Sequence, residues 1–190
     1  MISNSTTTTT TTTTTSNGAY SEQHSDKKIN VLFCCLGNIC RSPMALAVFS
    51  HTADQFKVRS HFGMLDSCGT AAYHQGEEPD ERTTAICKQR NIPIDLNNTA
   101  RGIRSPDFDK FDYIFGMDTN NVRNLTRMQP KGSKAIVRLF GDVDDGKPIA
   151  DSYYTGDFDA TYVQIKRYSE AFLKELGLLE INQTSIKAKQ

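Results

Sequence analysis

The sequence predicts a single α/β domain: a four-stranded parallel sheet with helices on both faces, flavodoxin- or Rossmann-like, with a phosphate loop after the first strand. Three observations predict it. Short apolar, β-branched runs alternate with amphipathic stretches of helix length from Ile29 onward, the pattern of a parallel sheet covered on both sides. The first run, INVLFCC (29–35), is apolar but for Asn30, as a strand buried on both faces is. That run breaks into a tight loop, LGNICR, before SPMALAVFSHTA (42–53), which suits a helix with Pro43 in its first turn.

The other elements follow in order. VRSHFGMLDSCG (58–69) predicts a second strand ending in a turn, and PDERTTAICKQRN (79–91) a helix with acids early and bases late, the order that the helix dipole favours. FDYIFGMD (111–118) is a third strand, TNNVRNLTRMQ (119–129) a helix and KAIVRLF (134–140) a fourth strand. GDVDDGKPIADSYYTGD (141–157) is a turn-rich loop. FDATYVQIKRYSEAFLKELGLL (158–179) is a long amphipathic helix, with Tyr162, Ile165, Tyr168, Phe172 and Leu176 on one stripe. In such sheets ligands bind beyond the carboxyl ends of the strands, where the 36–40 loop lies.

The phosphate-loop domain spans 29–181, long enough to bury a core. Residues 1–28 hold ten consecutive threonines, Thr6 to Thr15, and offer no apolar face, so a disordered tail is expected there. Residues 182–190 form a short C-terminal tail. Lys plus Arg balance Asp plus Glu at 22 each, which gives no reason to expect nucleic acid as a partner. No run is long and apolar enough to span a bilayer, and no targeting segment is evident. The five cysteines are odd in number and two are adjacent, which argues against a disulfide framework and for a reducing, cytoplasmic setting. A monomer is expected.

The loop carries the chemistry. Cys35 and Arg41 form a Cys-x5-Arg pattern. Loop N–H groups and a helix N-terminus would converge on one spot and favour an oxyanion there. Arg41 adds a planar fork for two phosphate oxygens. The same positive field stabilises the Cys35 thiolate, the reactive form, and a thiolate at the base of a phosphate cradle is an in-line nucleophile. Gly37 and Asn38 are residue types that tolerate left-handed backbone angles. Ser42 can donate its hydroxyl to the sulfur. Strand alternation turns Cys34 away from Cys35, so Cys34 is assigned to packing. A zinc site, a Cys-x-x-Cys redox pair and a Walker loop each lack their partner residues, so neither metal nor cofactor is expected.

The stretch CLGNICRSP (35–43) after an apolar strand resembles the signature of the low molecular weight protein tyrosine phosphatases. The likeness continues through DSCGT (66–70), FDYIFGMD (111–118) and DSYYTGDFDATY (151–162), and covers about residues 29–178. The resemblance implies a metal-independent phosphatase acting on phosphotyrosine proteins and small aryl phosphates through a phosphocysteine. It implies Cys35 as nucleophile, Arg41 as phosphate binder and Asp151 as general acid and base. It places Leu36, Gly37, Asn38, Ile39, Cys40, Ser42, Tyr73, Tyr153 and Tyr154 around the substrate, with Ser67 and Asp118 in support. Cys40 matches a second cysteine able to form a reversible disulfide with Cys35. Asp142, Asp144, Asp145 and Asp157 are rival carboxylates, set aside by their position relative to the tyrosine pair.

Two departures stand out. Relatives usually have Asp-Pro where this chain has Asp151–Ser152, which predicts a looser acid loop at a cost of about 0.4–1 kcal/mol in unfolded-chain entropy. Many also carry a His that bonds the loop Asn, where this chain has Asn97, Asn98 and Thr99. One of these is a candidate substitute. Two other activities fit parts of the pattern. Arsenate reduction would need a cysteine relay, for which Cys68 and Cys87 are poorly placed, and a phosphotyrosine-binding module would need a dead acid loop.

Overall fold

A computed structural model of the chain describes residues 27–179. The expected tails lie almost wholly outside these residues. Strands β1 (Ile29–Cys35), β2 (Phe62–Gly69), β3 (Tyr113–Gly116) and β4 (Ile136–Leu139) form one parallel sheet in the order β2-β1-β3-β4. The chain leaves β1 towards one side to form β2, then returns to the other side to form β3. The carboxyl end of β1 is therefore the point where strand order reverses, the usual ligand crevice of an open α/β sheet.

Helices α1 (Arg41–Gln55), α2 (Glu81–Gln89), α3 (Asp107–Lys110), α4 (Thr119–Met128), α5 (Ser152–Thr155) and α6 (Phe158–Glu175) complete the domain. Strand β1 feeds two cores, because its side chains alternate between faces. Val31, Phe33 and Cys35 join α1 and α6 on one face. Leu32 and Cys34 join Phe108 of α3 and Leu125 of α4 on the other. Cys34 thus packs on the face opposite Cys35, as expected.

The first core is built on aromatic rings. Phe33 lies 5.5 Å from Phe49 and 5.2 Å from Phe140, and Phe115 meets Phe172 edge-on at 4.9 Å. Each such ring is fully buried, worth roughly 1.5–3 kcal/mol. This packing gives β1 a rigid base and fixes where its last residue, Cys35, ends.

The structure corrects several boundaries. β2 begins at Phe62, because Arg59–His61 form a 3-10 turn in which the His61 N–H donates to the Val58 carbonyl at 3.1 Å. α6 stops at Glu175 instead of running to 179. Gly177 takes φ +70°, and its N–H and that of Leu178 fold back onto Lys174 and Leu173 carbonyls at 2.9 Å, a Schellman ending. The 141–157 loop contains a 3-10 turn at Phe140–Val143 and the one-turn helix α5.

Candidate active site

After Cys35 the chain turns through residues 36–40 and enters α1 at Arg41. The turn depends on Asn38, which takes φ +60° and so folds the loop back over the strand end. Its N–H then reaches the Cys35 Sγ at 3.3 Å. The Ser42 Oγ, in the first turn of α1, lies 3.1 Å from the same sulfur. The positive end of α1 points at this spot.

The loop is held from below by side chains. Asn38 Nδ2 donates to Ser42 Oγ at 3.0 Å and to Ser67 Oγ at 2.9 Å, while its Oδ1 accepts from the Arg101 N–H at 2.9 Å. Main-chain bonds hold it from the sides. The Thr70, Ala71 and Asp80 N–H groups donate to the carbonyls of Cys35, Leu36 and Ile39 at 2.8, 3.0 and 2.8 Å. A side chain at Gly69 would stand 2.6 and 2.7 Å from the carbonyl oxygens of Ala71 and Leu36, so only glycine lets β2 end this close under the loop.

Arg41 is 2% exposed and is gripped at both ends of its fork. One terminal nitrogen donates to Asp118 Oδ2 at 2.7 Å and to the Ile149 carbonyl at 3.2 Å, and the other to Asp151 Oδ2 at 2.6 Å. Both carboxylates are held in turn. Asp118 caps α4 through the Asn121 N–H at 2.8 Å, and Asp151 caps α5 through the Tyr153 N–H at 3.2 Å. The guanidinium is therefore a fixed, buried fork rather than a mobile arm.

Three other thiols, those of Cys34, Cys40 and Cys87, are held in the protonated form. Burial pushes the Cys40 thiol up to about 12, with Asp80 beside it adding to the effect. Burial alone pushes Cys87 up to about 11 and is the largest cause of the rise at Cys34. The Arg82 guanidinium holds the Asp80 carboxyl below its ordinary value. Among the described residues, no group of three or more His, Cys, Asp and Glu could hold a metal ion.

These elements line a cleft of about 270 Å³. Cys35, Leu36, Gly37, Ile39, Cys40 and Arg41 form its floor, and Tyr73, Asp151, Tyr153 and Tyr154 its walls, all anticipated from the sequence. Asn38 and Ser42 are buried beneath the floor and brace it together with Ser67, which stands in the supporting place expected of it. Asp118 stands behind Arg41. His74 was missed. It lines the cleft over Gly37, with Nδ1 2.9 Å from Glu77, and nothing in its local sequence marks it out.

None of the three residues considered in place of the family histidine takes that role. Asn98 faces Asp66 at 3.5 Å, and the oxygen of Asn38 is met by a main-chain N–H. That contact needs no particular side chain.

Fold and loop together define an α/β enzyme of the cysteine-loop, oxyanion-binding class. A sequence model of the family described as "Low molecular weight phosphotyrosine protein phosphatase" matches residues 30–180. The protein of that name in Saccharomyces cerevisiae is 46% identical over 155 residues, covering 78% of this chain and 95% of the relative. Its Schizosaccharomyces pombe counterpart is 44% identical over 156 residues, covering 80% and 99%. The crystal structure of YfkJ from Bacillus subtilis superposes with a TM-score of 0.74 at 34% identity, covering 80% of this chain and 96% of that one. The chain belongs to the low molecular weight phosphotyrosine protein phosphatase family, and is a phosphoric monoester hydrolase.

Proposed function

We propose that the chain hydrolyses phosphotyrosine in proteins, and small aryl phosphates as an acid phosphatase, without a metal and through a phosphocysteine on Cys35. The observation that carries this is the meeting of three groups in one cleft: Cys35 Sγ under a loop N–H at 3.3 Å, the buried Arg41 fork, and Asp151 within 2.6 Å of that fork. They are a nucleophile, an anion binder and an acid, all from one chain.

The reaction runs in two displacements. The Cys35 thiolate attacks phosphorus in line, the S–P bond forms and the P–O bond to the phenol breaks. Arg41 and the loop N–H groups take the charge on the equatorial oxygens. Asp151 gives its proton to the leaving phenolate. Water then attacks phosphorus, Asp151 takes its proton, and the S–P bond breaks to release phosphate and the thiolate. Ser42 serves the sulfur directly. Its one hydroxyl proton can point to the Cys68 carbonyl at 3.2 Å or to Cys35 Sγ at 3.1 Å, and it turns to the sulfur when the thiolate needs a donor.

As phosphate arrives, it takes Arg41 contacts now made to Asp151. That exchange frees the carboxyl to face the leaving group. Tyr73, Tyr153 and Tyr154 supply aromatic walls for the substrate ring. Cys40 lies in the same loop and is the partner for a reversible disulfide that protects Cys35. All five cysteines are free thiols in the structure, which suits a cytoplasmic setting. No described helix is long and apolar enough to cross a membrane.

The test is hydrolysis of p-nitrophenyl phosphate in EDTA. Wild-type protein is expected to turn over, and Cys35→Ser to be inactive. Turnover by Cys35→Ser at the wild-type rate, or loss of wild-type turnover in EDTA, would overturn this reading.

A further inference from the structure

We propose that Arg82 is a positioning residue that holds the Asp151 loop against the phosphate loop, an inference that rests on Asp151 being the acid. Residues 80–83 are fastened to the phosphate loop. The Asp80 N–H donates to the Ile39 carbonyl at 2.8 Å, and Thr83 Oγ1 donates to the Cys40 carbonyl at 3.4 Å. From this base Asp80 grips Arg82 three times. Its Oδ1 accepts from the Arg82 Nε and main-chain N–H, both at 2.9 Å, and its Oδ2 accepts from a terminal nitrogen at 2.7 Å.

The guanidinium so aimed lies over two rings. Its centre is 5.3 Å from the Tyr153 ring and 4.7 Å from the Phe158 ring, both within the range of a cation–π contact. Tyr153 is the residue whose N–H Asp151 caps. Phe158 opens α6 and is buried. Arg82 therefore bridges the nucleophile's loop, the acid's loop and the rigid start of α6.

Among the described residues, the other hydrogen bonds that tie the acid segment to the domain act before or at Asp151, apart from those of Asp157 to the first turn of α6. The Ile149 N–H donates to the Met117 carbonyl at 2.8 Å, and Arg41 binds the Ile149 carbonyl and Asp151. The Arg41–Asp151 pair is the contact that the reaction must give up, since Arg41 takes phosphate and Asp151 takes a proton. Within α5, the Ser152 hydroxyl is buried without a partner and adds no anchor. The Arg82 stack is a hold beyond Asp151 that survives phosphate binding.

A displaced acid harms only substrates whose leaving group needs a proton. The experiment measures kcat/KM on phenyl phosphate, a poor leaving group, and on dinitrophenyl phosphate, which leaves unprotonated. Arg82→Met is expected to lower the phenyl phosphate value about tenfold, part of the 10²–10⁴ of a general acid, and the dinitrophenyl value less than about twofold. Arg82→Lys keeps the charge but loses the planar fork, and is expected to recover only part of the loss.

Arg90→Met is the comparison. Arg90 makes the same kind of contact elsewhere, pairing with Asp159 at 2.8 Å and lying over Tyr162 at 5.1 Å, and its loss should leave the ratio of the two substrates unchanged. Equal losses on both substrates for Arg82→Met, or no loss, would overturn the proposal. Asp151→Asn separates the two levels of the argument. If it penalises phenyl phosphate selectively and Arg82→Met does not, only the positioning role fails. If it too treats both substrates alike, the acid assignment falls and this proposal with it.

Discussion

Replacing Ser152 should stabilise the protein, although Ser152 adjoins the proposed acid. The residue is fully buried, and its hydroxyl meets no hydrogen-bond partner. A buried, unpaired hydroxyl costs about 1–3 kcal/mol. Ser152→Ala removes it and is expected to gain about 1 kcal/mol, net of a small loss of packing. For a domain of about 150 residues that is a rise in Tm of about 3 °C. Ser152→Pro should add to this. Ser152 is the first residue of α5, where a missing N–H breaks no helical bond. Asp151 before it has φ −80° and ψ 100°, outside the α region that proline disfavours and about 20° short of the extended range it prefers. The restricted unfolded chain then contributes a further 0.4–1 kcal/mol or so. Thermal melts and urea titrations of the three proteins are the assay. If Ser152→Ala lowers Tm, the hydroxyl has a partner and the reasoning is refuted. If Ala stabilises and Pro destabilises, the backbone argument alone fails.

Asn38→Ala breaks two buried hydrogen bonds and one half-buried one and leaves alanine at φ +60°, so it should cost roughly 2–4 kcal/mol in urea titration and lower kcat/KM more than a distant variant of equal stability. Alkylation by iodoacetamide at neutral pH should modify Cys35 first and be blocked by inorganic phosphate, because Cys40 is held protonated up to about 12 and lies beside Asp80; peptide mapping that finds Cys40 labelled first would contradict this. Stability should fall with alkali. Cys40 and Cys87 are raised from 9.0 to about 12 and 11, so the folded state keeps protons that the unfolded chain releases. Their contribution is complete below pH 9 and is lost as pH rises through the folded values, at up to about 1.4 kcal/mol per pH unit for each thiol. Urea titrations between pH 8 and 11 should show the decline, and Cys87→Ala should flatten it.

How far the sequence could be read depended on how local the physics was. β1 was legible to the residue because its buried stretch, Val31 to Cys35, is apolar throughout, and its end is marked by a loop that turns at Asn38. Cys35 and Arg41 were legible because one turn of chain carries both. The false start of β2 at Val58 has a plain cause. Val58 is a β-branched residue just ahead of the strand and reads into it, but the His61 N–H closes a turn on the Val58 carbonyl. α5 is one turn long and too short to show a period. The brace on the Oδ1 of Asn38 was invisible for a different reason. Its partner is the main-chain N–H of Arg101, which any non-proline residue supplies. Arg82 carried no signal either. Its aromatic partners lie more than seventy positions away in sequence, and alone it reads as an arginine in the first turn of a helix.

The central claim is that phosphate passes through the Cys35 sulfur. Acid quench of a reacting mixture, followed by mass spectrometry of the peptide spanning residues 31–45, tests it directly. The account predicts a phosphoryl adduct on Cys35 that forms with aryl phosphate, decays as product phosphate appears, and is absent in Cys35→Ser. Turnover without any such adduct, or an adduct on another residue that is competent to release phosphate, would contradict it.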